Sequence, residues 1–272
     1  MTTPGLNSRR TIRPSDMPAV ALGQHLLVHE PSIRRVVDAA GLARGETVLD
    51  VGAGEGALAK EALRRVGSTG KVLAVEIHAG YVRQLRSEAR EGLFVTHGDA
   101  LVVPLARADA VVANPPFRLA APILKRLLDA GFGRAVLVLP RELVERLTAA
   151  VGSERYGRLT VETALRAGTE RLFGLPRWAF EPQPGVFVDV ARIVPREGAP
   201  AAAAAALAKV LDAGWENRRR TMRHALGGLG PTLRVSSGKV TEALRALDVE
   251  SARPQDVAPE TWLEIARRLS MA

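Results

Sequence analysis

A chain of 272 residues, 47% hydrophobic and 25% charged, has room for one catalytic domain and a smaller appendage, and is too apolar to be largely disordered. Its formal charge of +9 favours a polyanionic partner, either nucleic acid or an acidic membrane surface. The absence of cysteine excludes disulfides, thiolate nucleophiles and cysteine-ligated metals, and is compatible with a reducing, cytoplasmic setting.

Residues 1–20 mix Thr, Pro and Ser with Arg9, Arg10 and Arg13 and lack periodicity, so they are expected to form a flexible basic arm. They contain no apolar stretch of signal-peptide length, and no later apolar run reaches the roughly 18 residues of a membrane span. No membrane partner is therefore expected. From Pro31, the apolar residues Ile33, Val36, Val37 and Ala40 recur at helical spacing, with Gly41 as a stop. Short β-branched runs then alternate with helical patterns: strands over 47–51, 71–75, 93–96, 109–113 and 134–139, and helices over 58–66, 81–89, 119–130 and 142–150. This alternation predicts βαβ units and an α/β, Rossmann-like, mostly parallel sheet whose ligands sit beyond the C-terminal strand ends.

Two later runs, 158–167 and 186–194, flank the proline-rich stretch 176–184 and are expected to be strands of an antiparallel edge hairpin. The six consecutive alanines over 201–206 mark a linker or a helix start, and the remainder reads as helical, with turns at 227–231 and 252–254. The expected organisation is an arm (1–20), an α/β domain (21–196) and a small helical C-terminal domain (197–272).

Gly52, Gly54 and Gly56 follow the first strand of the alternation and precede a helix. Glycine there permits a tight turn and close backbone approach to a ligand, which the N–H groups of the helix start can bind. Such a turn is also common without a ligand, but Glu76 lies 24 residues after Gly52, near the spacing at which an acid meets ribose hydroxyls in nucleotide-binding sheets. Asp99 follows the third strand, where it could accept from an adenine amino group. The most specific signal is Asn114-Pro115-Pro116-Phe117 after the fourth strand. An aromatic amine is a poor nucleophile because its lone pair is delocalised into the ring. The Asn114 side-chain oxygen and the Pro115 carbonyl could hold such an amine in pyramidal form, while Phe117 stacks on the base and the prolines stiffen the loop. Of the dispersed histidines, only His25 and His29 have helical metal-ligand spacing, and they lack a clear third ligand, so no metal is expected.

In order along the chain, Gly23-Gln-His-Leu-Leu27, Val51-Gly-Ala-Gly-Glu-Gly56, Glu76, Gly98-Asp99-Ala100, Asn114-Pro-Pro-Phe117, Tyr156-Gly-Arg-Leu159 and Phe180-Glu-Pro-Gln-Pro184 give residues 22–268 a resemblance to the ribosomal RNA adenine N6-dimethyltransferases. That family acts on the small subunit and includes relatives that methylate the large subunit for macrolide resistance. The resemblance implies an S-adenosyl-L-methionine methyltransferase sheet. His25, Leu27, Gly52, Gly54, Glu76, Asp99 and Asn114 would line the cofactor site, Ile77 and Ala100 would flank the cofactor's adenine, and Asn114, Pro115, Pro116 and Phe117 would form the catalytic loop. It also implies a helical RNA-gripping tail, in which the stretch from Trp215 to Arg223 looks like the basic helix of the small-subunit enzymes, particularly archaeal ones. Arg218, Arg219, Arg220 and Arg223 are the corresponding candidate RNA contacts. His25 stands where the family usually has Asn, the usual Asp shortly after that motif is missing, and Pro115 and Pro140 replace a usual Leu and Gln.

The implied reaction is N6-methylation, with two methyl groups per adenine, of small-subunit (16S-type) rRNA during ribosome biogenesis, by a monomer acting on an assembling small subunit. The same loop would also serve large-subunit rRNA, DNA or a glutamine amide. A ribosome-assembly factor acting mainly by binding is the non-catalytic alternative, and the intact Asn114, Glu76 and Asp99 count against it.

Overall fold

The structure, a computed structural model, describes residues 24–88, 90–196 and 204–270. The expected arm over 1–20 and the start of the alanine tract lie outside these residues. The chain runs β1 (Leu26–Leu27), α1 (Glu30–Ala39), β2 (Thr47–Val51), α2 (Ala57–Val66), β3 (Lys71–Glu76), α3 (Ala79–Ser87), β4 (Leu93–His97) and β5 (Ala108–Ala113). It continues through α4 (Ala120–Ala130), β6 (Phe132–Pro140), α5 (Arg141–Leu147), α6 (Arg158–Ala164), β7 (Ala167–Leu175), β8 (Phe180–Glu181) and β9 (Val188–Pro195). The last helices are α7 (Ala204–Glu216), α8 (Met222–Leu226), α9 (Gly230–Leu233), α10 (Ser237–Ala246) and α11 (Pro259–Ser270).

Seven strands form one sheet in the order β4-β3-β2-β5-β6-β9-β7. The first five are mutually parallel, and β9 runs antiparallel to both β6 and β7. The strand order reverses between β2 and β5, so a crevice opens beyond their C-terminal ends, where α/β sheets bind ligands. A separate two-stranded ribbon, β1 with β8, pairs Leu26 with Glu181 and Leu27 with Phe180.

The inner strands read as continuous apolar runs because both sheet faces are covered. Side chains alternate between the faces: Val111, Leu137 and Leu139 pack with Ile123, Leu124 and Val144 on the α4 and α5 side. Val112, Val136 and Val138 pack with Val36, Val37 and Leu58 on the α1 and α2 side.

A third core joins the C-terminal helices, with Val210, Leu211, Met222, Leu226, Leu244 and Trp262 at its centre. It also takes in Tyr156, Val161 and Leu165 from the sheet-bearing part of the chain. The Tyr156 hydroxyl donates to the Val257 carbonyl at 2.7 Å, fastening the segment before α11 to the loop before α6. Trp262 packs against Trp215 with ring centroids 5.0 Å apart. A Cβ at Gly214 would lie 2.4 Å from the Trp262 ring, so only glycine lets α7 approach this closely.

One expected strand is a helix. The run 158–167 forms α6 over Arg158–Ala164, and β7 begins only at Ala167. Thr160 and Val161 suggested β structure, but the Gly157 N–H donates to Thr160 Oγ1 at 3.0 Å and the Thr160 hydroxyl donates to the Arg146 carbonyl at 2.7 Å, which caps a helix start. Val161 and Leu165 then fall on one helical face, one turn apart, and enter the third core. The expected antiparallel hairpin forms between β7 and β9 instead.

Candidate active site

The turn from β2 into α2 brings three backbones together. Gly52 has φ +76°, and a Cβ there would come 3.0 Å from Pro116 Cδ, so the glycine turn and the Asn114 loop touch. A Cβ on Gly54 (φ +55°) would lie 2.6 Å from Leu26 Cδ2; glycine thus gives both the left-handed turn and the space for β1.

Glu76 ends β3 and is almost wholly buried. Its Oε2 accepts from the Gly54 N–H at 2.7 Å, and its Oε1 accepts from the His78 N–H at 2.7 Å and from Gln24 Nε2 at 3.5 Å. The carboxylate therefore clamps the glycine turn to the end of β3, and a carboxylate's roughly four acceptor positions leave one over for a ligand. Beside it, the Gly98 N–H donates to the Glu76 carbonyl at 2.9 Å and His97 Nε2 lies 3.1 Å from the Ile77 carbonyl oxygen, which sets Ile77, Asp99 and Ala100 around one edge of the crevice. Asp99 Oδ1 accepts from the Leu101 N–H at 2.8 Å.

A cavity of about 210 Å³ lies between the two loops, lined by Gln24, His25, Leu27, Asp50, Gly52 and Asn114 among others. It unites four of the residues expected to hold the cofactor: His25, Leu27, Gly52 and Asn114. Glu76, Ile77, Asp99 and Ala100 gather apart from that lining, at the ends of β3 and β4.

Asn114 follows the last residue of β5. Its Nδ2 donates to the His25 carbonyl at 2.7 Å, which fixes the amide orientation and leaves Oδ1 buried with no hydrogen-bond partner. Pro115 and Pro116 lead into a 3-10 turn over Phe117–Leu119. The Phe117 ring lies 5.2 Å from the His25 ring and 6.3 Å, edge-on, from Phe180. Phe180 is itself buried, in the core on the α1 and α2 side against which Phe117 packs. The His25 ring is held from outside, its Nδ1 lying 2.7 Å from the Pro182 carbonyl oxygen.

Asp50 is a functional candidate that sequence reasoning passed over. It lies in β2, two residues before Gly52, fully buried, and neither carboxyl oxygen meets a donor at good hydrogen-bond geometry, the Ala59 backbone giving only weak relief. Burial, and then the neighbouring Glu76 charge, push its carboxyl up to about 8. The detectable signal was an acid inside an otherwise apolar parallel strand, a costly placement unless a ligand uses it. Tyr81 is also held above the usual tyrosine range by burial and then by the charges of Glu55 and Glu76. A crevice edged by Glu76 and Asp99 and holding the buried, unpartnered Asn114 oxygen suits a cationic ligand, and S-adenosyl-L-methionine, with its sulfonium and ammonium groups, fits that acceptor set. Among the described residues, no three His, Asp or Glu side chains gather in a set able to hold a metal ion.

The expected basic helix around Arg218 is a turn. α7 ends at Glu216 and α8 begins at Met222, so Arg218, Arg219 and Arg220 lie between them. Asn217 and Thr221 supply the stop and the start: the Asn217 carbonyl accepts from the Arg220 N–H at 2.8 Å, and Thr221 is the extended N-cap of α8. All three arginine side chains are exposed, and none has an ion-pair partner among the described residues. Arg223, on α8, pairs with Glu250 at 3.1 Å.

A seven-stranded sheet with this order, a glycine turn, an acid ending β3 and an Asn-Pro-Pro-Phe loop at the switch point define an S-adenosyl-L-methionine-dependent methyltransferase. The model of the family "Ribosomal RNA adenine dimethylase" matches residues 19–261, and the chain belongs to that family. It is 34% identical over 274 residues to a Methanopyrus kandleri protein named "Probable ribosomal RNA small subunit methyltransferase A", covering 98% of this chain and 96% of that one. It is also 34% identical to the Gloeobacter violaceus ribosomal RNA small subunit methyltransferase A, covering 91% and 92%. In fold it matches a dimethyladenosine transferase from Plasmodium falciparum, with TM-score 0.78, 21% identity, and 89% and 96% of the two chains covered.

Proposed function

We propose that the protein transfers methyl groups from S-adenosyl-L-methionine to N6 of adenine in small-subunit ribosomal RNA, twice per adenine, during assembly of that subunit. The observation that carries the reading is the Asn114 amide, whose nitrogen is tied to the His25 carbonyl while its buried oxygen stays unpartnered. An acceptor fixed in this way is what an exocyclic amine needs. Asn114 Oδ1 and the Pro115 carbonyl each accept from the amine, drawing its lone pair out of conjugation with the ring, and Phe117 stacks on the base. The cofactor, when bound, supplies an electrophilic methyl group on a sulfonium. Neither acceptor is basic enough to deprotonate the amine beforehand, so the proton leaves to solvent after transfer, and placement supplies much of the rate.

His25, Leu27, Gly52, Gly54 and Asn114 would hold the methionine and sulfonium end of the cofactor, Glu76 its ribose, Asp99 its adenine amino group, and Ile77 and Ala100 the flat faces of that base. In this reading 21–196 is the methyltransferase domain and 197–272 the RNA-binding domain. Arg218, Arg219, Arg220 and Arg223 contact RNA phosphates, where Arg forks suit phosphate oxygens. The enzyme would act as a cytoplasmic monomer on an assembling particle. No helix among the described residues is long and apolar enough to cross a membrane.

The test is transfer of labelled methyl to small-subunit particles, naked small-subunit rRNA and large-subunit rRNA in parallel, followed by nucleoside analysis. N6-dimethyladenosine confined to small-subunit RNA is expected. Label only in large-subunit RNA would overturn the substrate assignment, and cofactor binding without transfer to any RNA would overturn the enzymatic one.

A further inference from the structure

Four of the nine exposed large hydrophobic side chains among the described residues, Val28, Trp178, Val186 and Phe187, belong to two neighbouring segments. Trp178 is 60% exposed and Phe187 61%. Open apolar surface of this kind, concentrated in one place, marks a contact site. Its location is set by the sheet. Leu175 pairs with Val188 and Pro140 with Val188, so Trp178 and Phe187 flank the end of the β7–β9 hairpin, on the same rim as the C-terminal end of β5 that carries Asn114.

The segment bearing Trp178 also builds the mouth of the crevice. Two residues beyond it, Phe180 packs edge-on against Phe117, Glu181 pairs with Leu26, and the Pro182 carbonyl contacts His25. The Ala179 carbonyl accepts from the Val28 and His29 N–H groups at 2.9 and 3.2 Å, and the His29 ring meets the Trp178 ring edge-on at 4.7 Å. The ledge is thus held against the mouth by backbone hydrogen bonds and is not a free loop tip.

Cations accompany the rings. The Arg141 guanidinium lies 4.7 Å and that of Arg177 5.7 Å from the centre of the Phe187 ring, and the Arg141 N–H donates to the Phe187 carbonyl at 2.9 Å. Arg141 and Arg171 share one buried carboxylate, Asp189, so two positive charges meet one negative. Arg177 has no ion-pair partner among the described residues. Glu181 is the one exposed acid within the ledge segment, and the balance remains positive. Flat π faces interleaved with guanidinium groups fit single-stranded nucleic acid, which offers flat bases on an anionic backbone.

We infer that Trp178 and Phe187, with Arg177 and Arg141, form a stacking ledge for bases next to the target adenine in the same RNA strand. The inference rests on the proposed RNA substrate. Taking the target out of its stack to reach Phe117 deprives the neighbouring bases of a partner, and the ledge supplies replacement faces beside the mouth.

The experiment compares the full chain with Trp178→Ala, Phe187→Ala, the double variant and the aromatic replacements Trp178→Tyr and Phe187→Tyr. Binding to small-subunit rRNA and to a short adenine-containing single-stranded RNA is read by anisotropy, with methyl transfer and cofactor binding measured on the same samples. Each Ala variant is expected to bind RNA roughly 5- to 100-fold more weakly, from the usual worth of one base–aromatic stack. The Tyr variants should bind within about 3-fold of the starting protein, since a π face is retained, and cofactor affinity should be unchanged in all. Equal RNA affinity in the double Ala variant overturns the inference, even where transfer to assembled particles falls, because the face then serves a protein partner. If the unaltered protein methylates rRNA while the double variant keeps its RNA affinity, the ledge alone is wrong. If the unaltered protein binds and methylates no RNA, the substrate reading fails and the ledge with it.

Discussion

The crevice at the ends of β2 and β5 and the arginine turn between α7 and α8 are built by opposite rules. In the crevice Asn114, Asp50 and Glu76 are buried or nearly so, and backbone groups fix Asn114 and Glu76 in place. In the turn Arg218, Arg219 and Arg220 are exposed and have no ion-pair partner among the described residues. A buried group acts through its geometry, so one deletion removes a whole contribution. Exposed cations act through summed charge, so each contributes little and one substitutes for another. The two regions should therefore respond to mutation in different currencies, rate in the crevice and salt-dependent affinity in the turn.

The largest expected effect is on rate. Asn114→Ala removes the proposed amine acceptor and should lower single-turnover methyl transfer about 10²- to 10³-fold, the usual loss for one preorganised contact, with RNA affinity unaltered. Next comes a pure packing effect in the helical lobe that carries the turn. Gly214→Ala forces a methyl against Trp262 and should cost about 1–3 kcal/mol in urea unfolding. A cost near zero would mean that α7 and α11 separate easily.

A smaller effect sharpens the role of Asp50. Its folded-state value is raised, so from about pH 4 to about pH 8 the native protein keeps a proton that the unfolded chain has lost. Stability should then fall as pH rises through this window, by up to about 1.4 kcal/mol per pH unit from this group. Asp50→Asn should flatten that slope between pH 6 and 8 in urea titrations, and an unchanged slope would remove Asp50 as its source. The smallest effects belong to the turn. Each single Arg218→Ala, Arg219→Ala or Arg220→Ala change should lower the slope of log affinity against log salt by roughly 1 for rRNA. Transfer at saturating RNA should not change.

The same contrast explains what could be read from the chain beforehand. The glycine turn, Glu76, Asp99 and the Asn114 loop are local motifs that end consecutive strands, and the alternation of strand and helix puts strand ends together. Hence their position at neighbouring strand ends was legible. The double duty of Glu76 was not, because the Gly54 and Gln24 groups that it clamps are brought to it by the fold. Asp50 was passed over because it sits inside the strand pattern and not beyond its end. The strand expected over 158–167 failed because Thr160 has β character by composition but here caps a helix whose apolar face fills a core made largely by the C-terminal helices from Ala206 onward. The expected basic helix failed for a related reason: charge was readable, whereas the stop at Asn217 and restart at Thr221 were stronger local signals than the run of arginines.

The most direct test of this division of labour is single-turnover methyl transfer measured across RNA concentration for Asn114→Ala and for the triple Arg218→Ala, Arg219→Ala, Arg220→Ala variant. The account predicts that the first loses rate at saturating RNA and keeps the RNA concentration for half-maximal rate, while the triple variant keeps the rate and needs more RNA, increasingly so with salt. A triple variant with a lowered saturating rate, or an Asn114→Ala protein impaired only in RNA affinity, would contradict it.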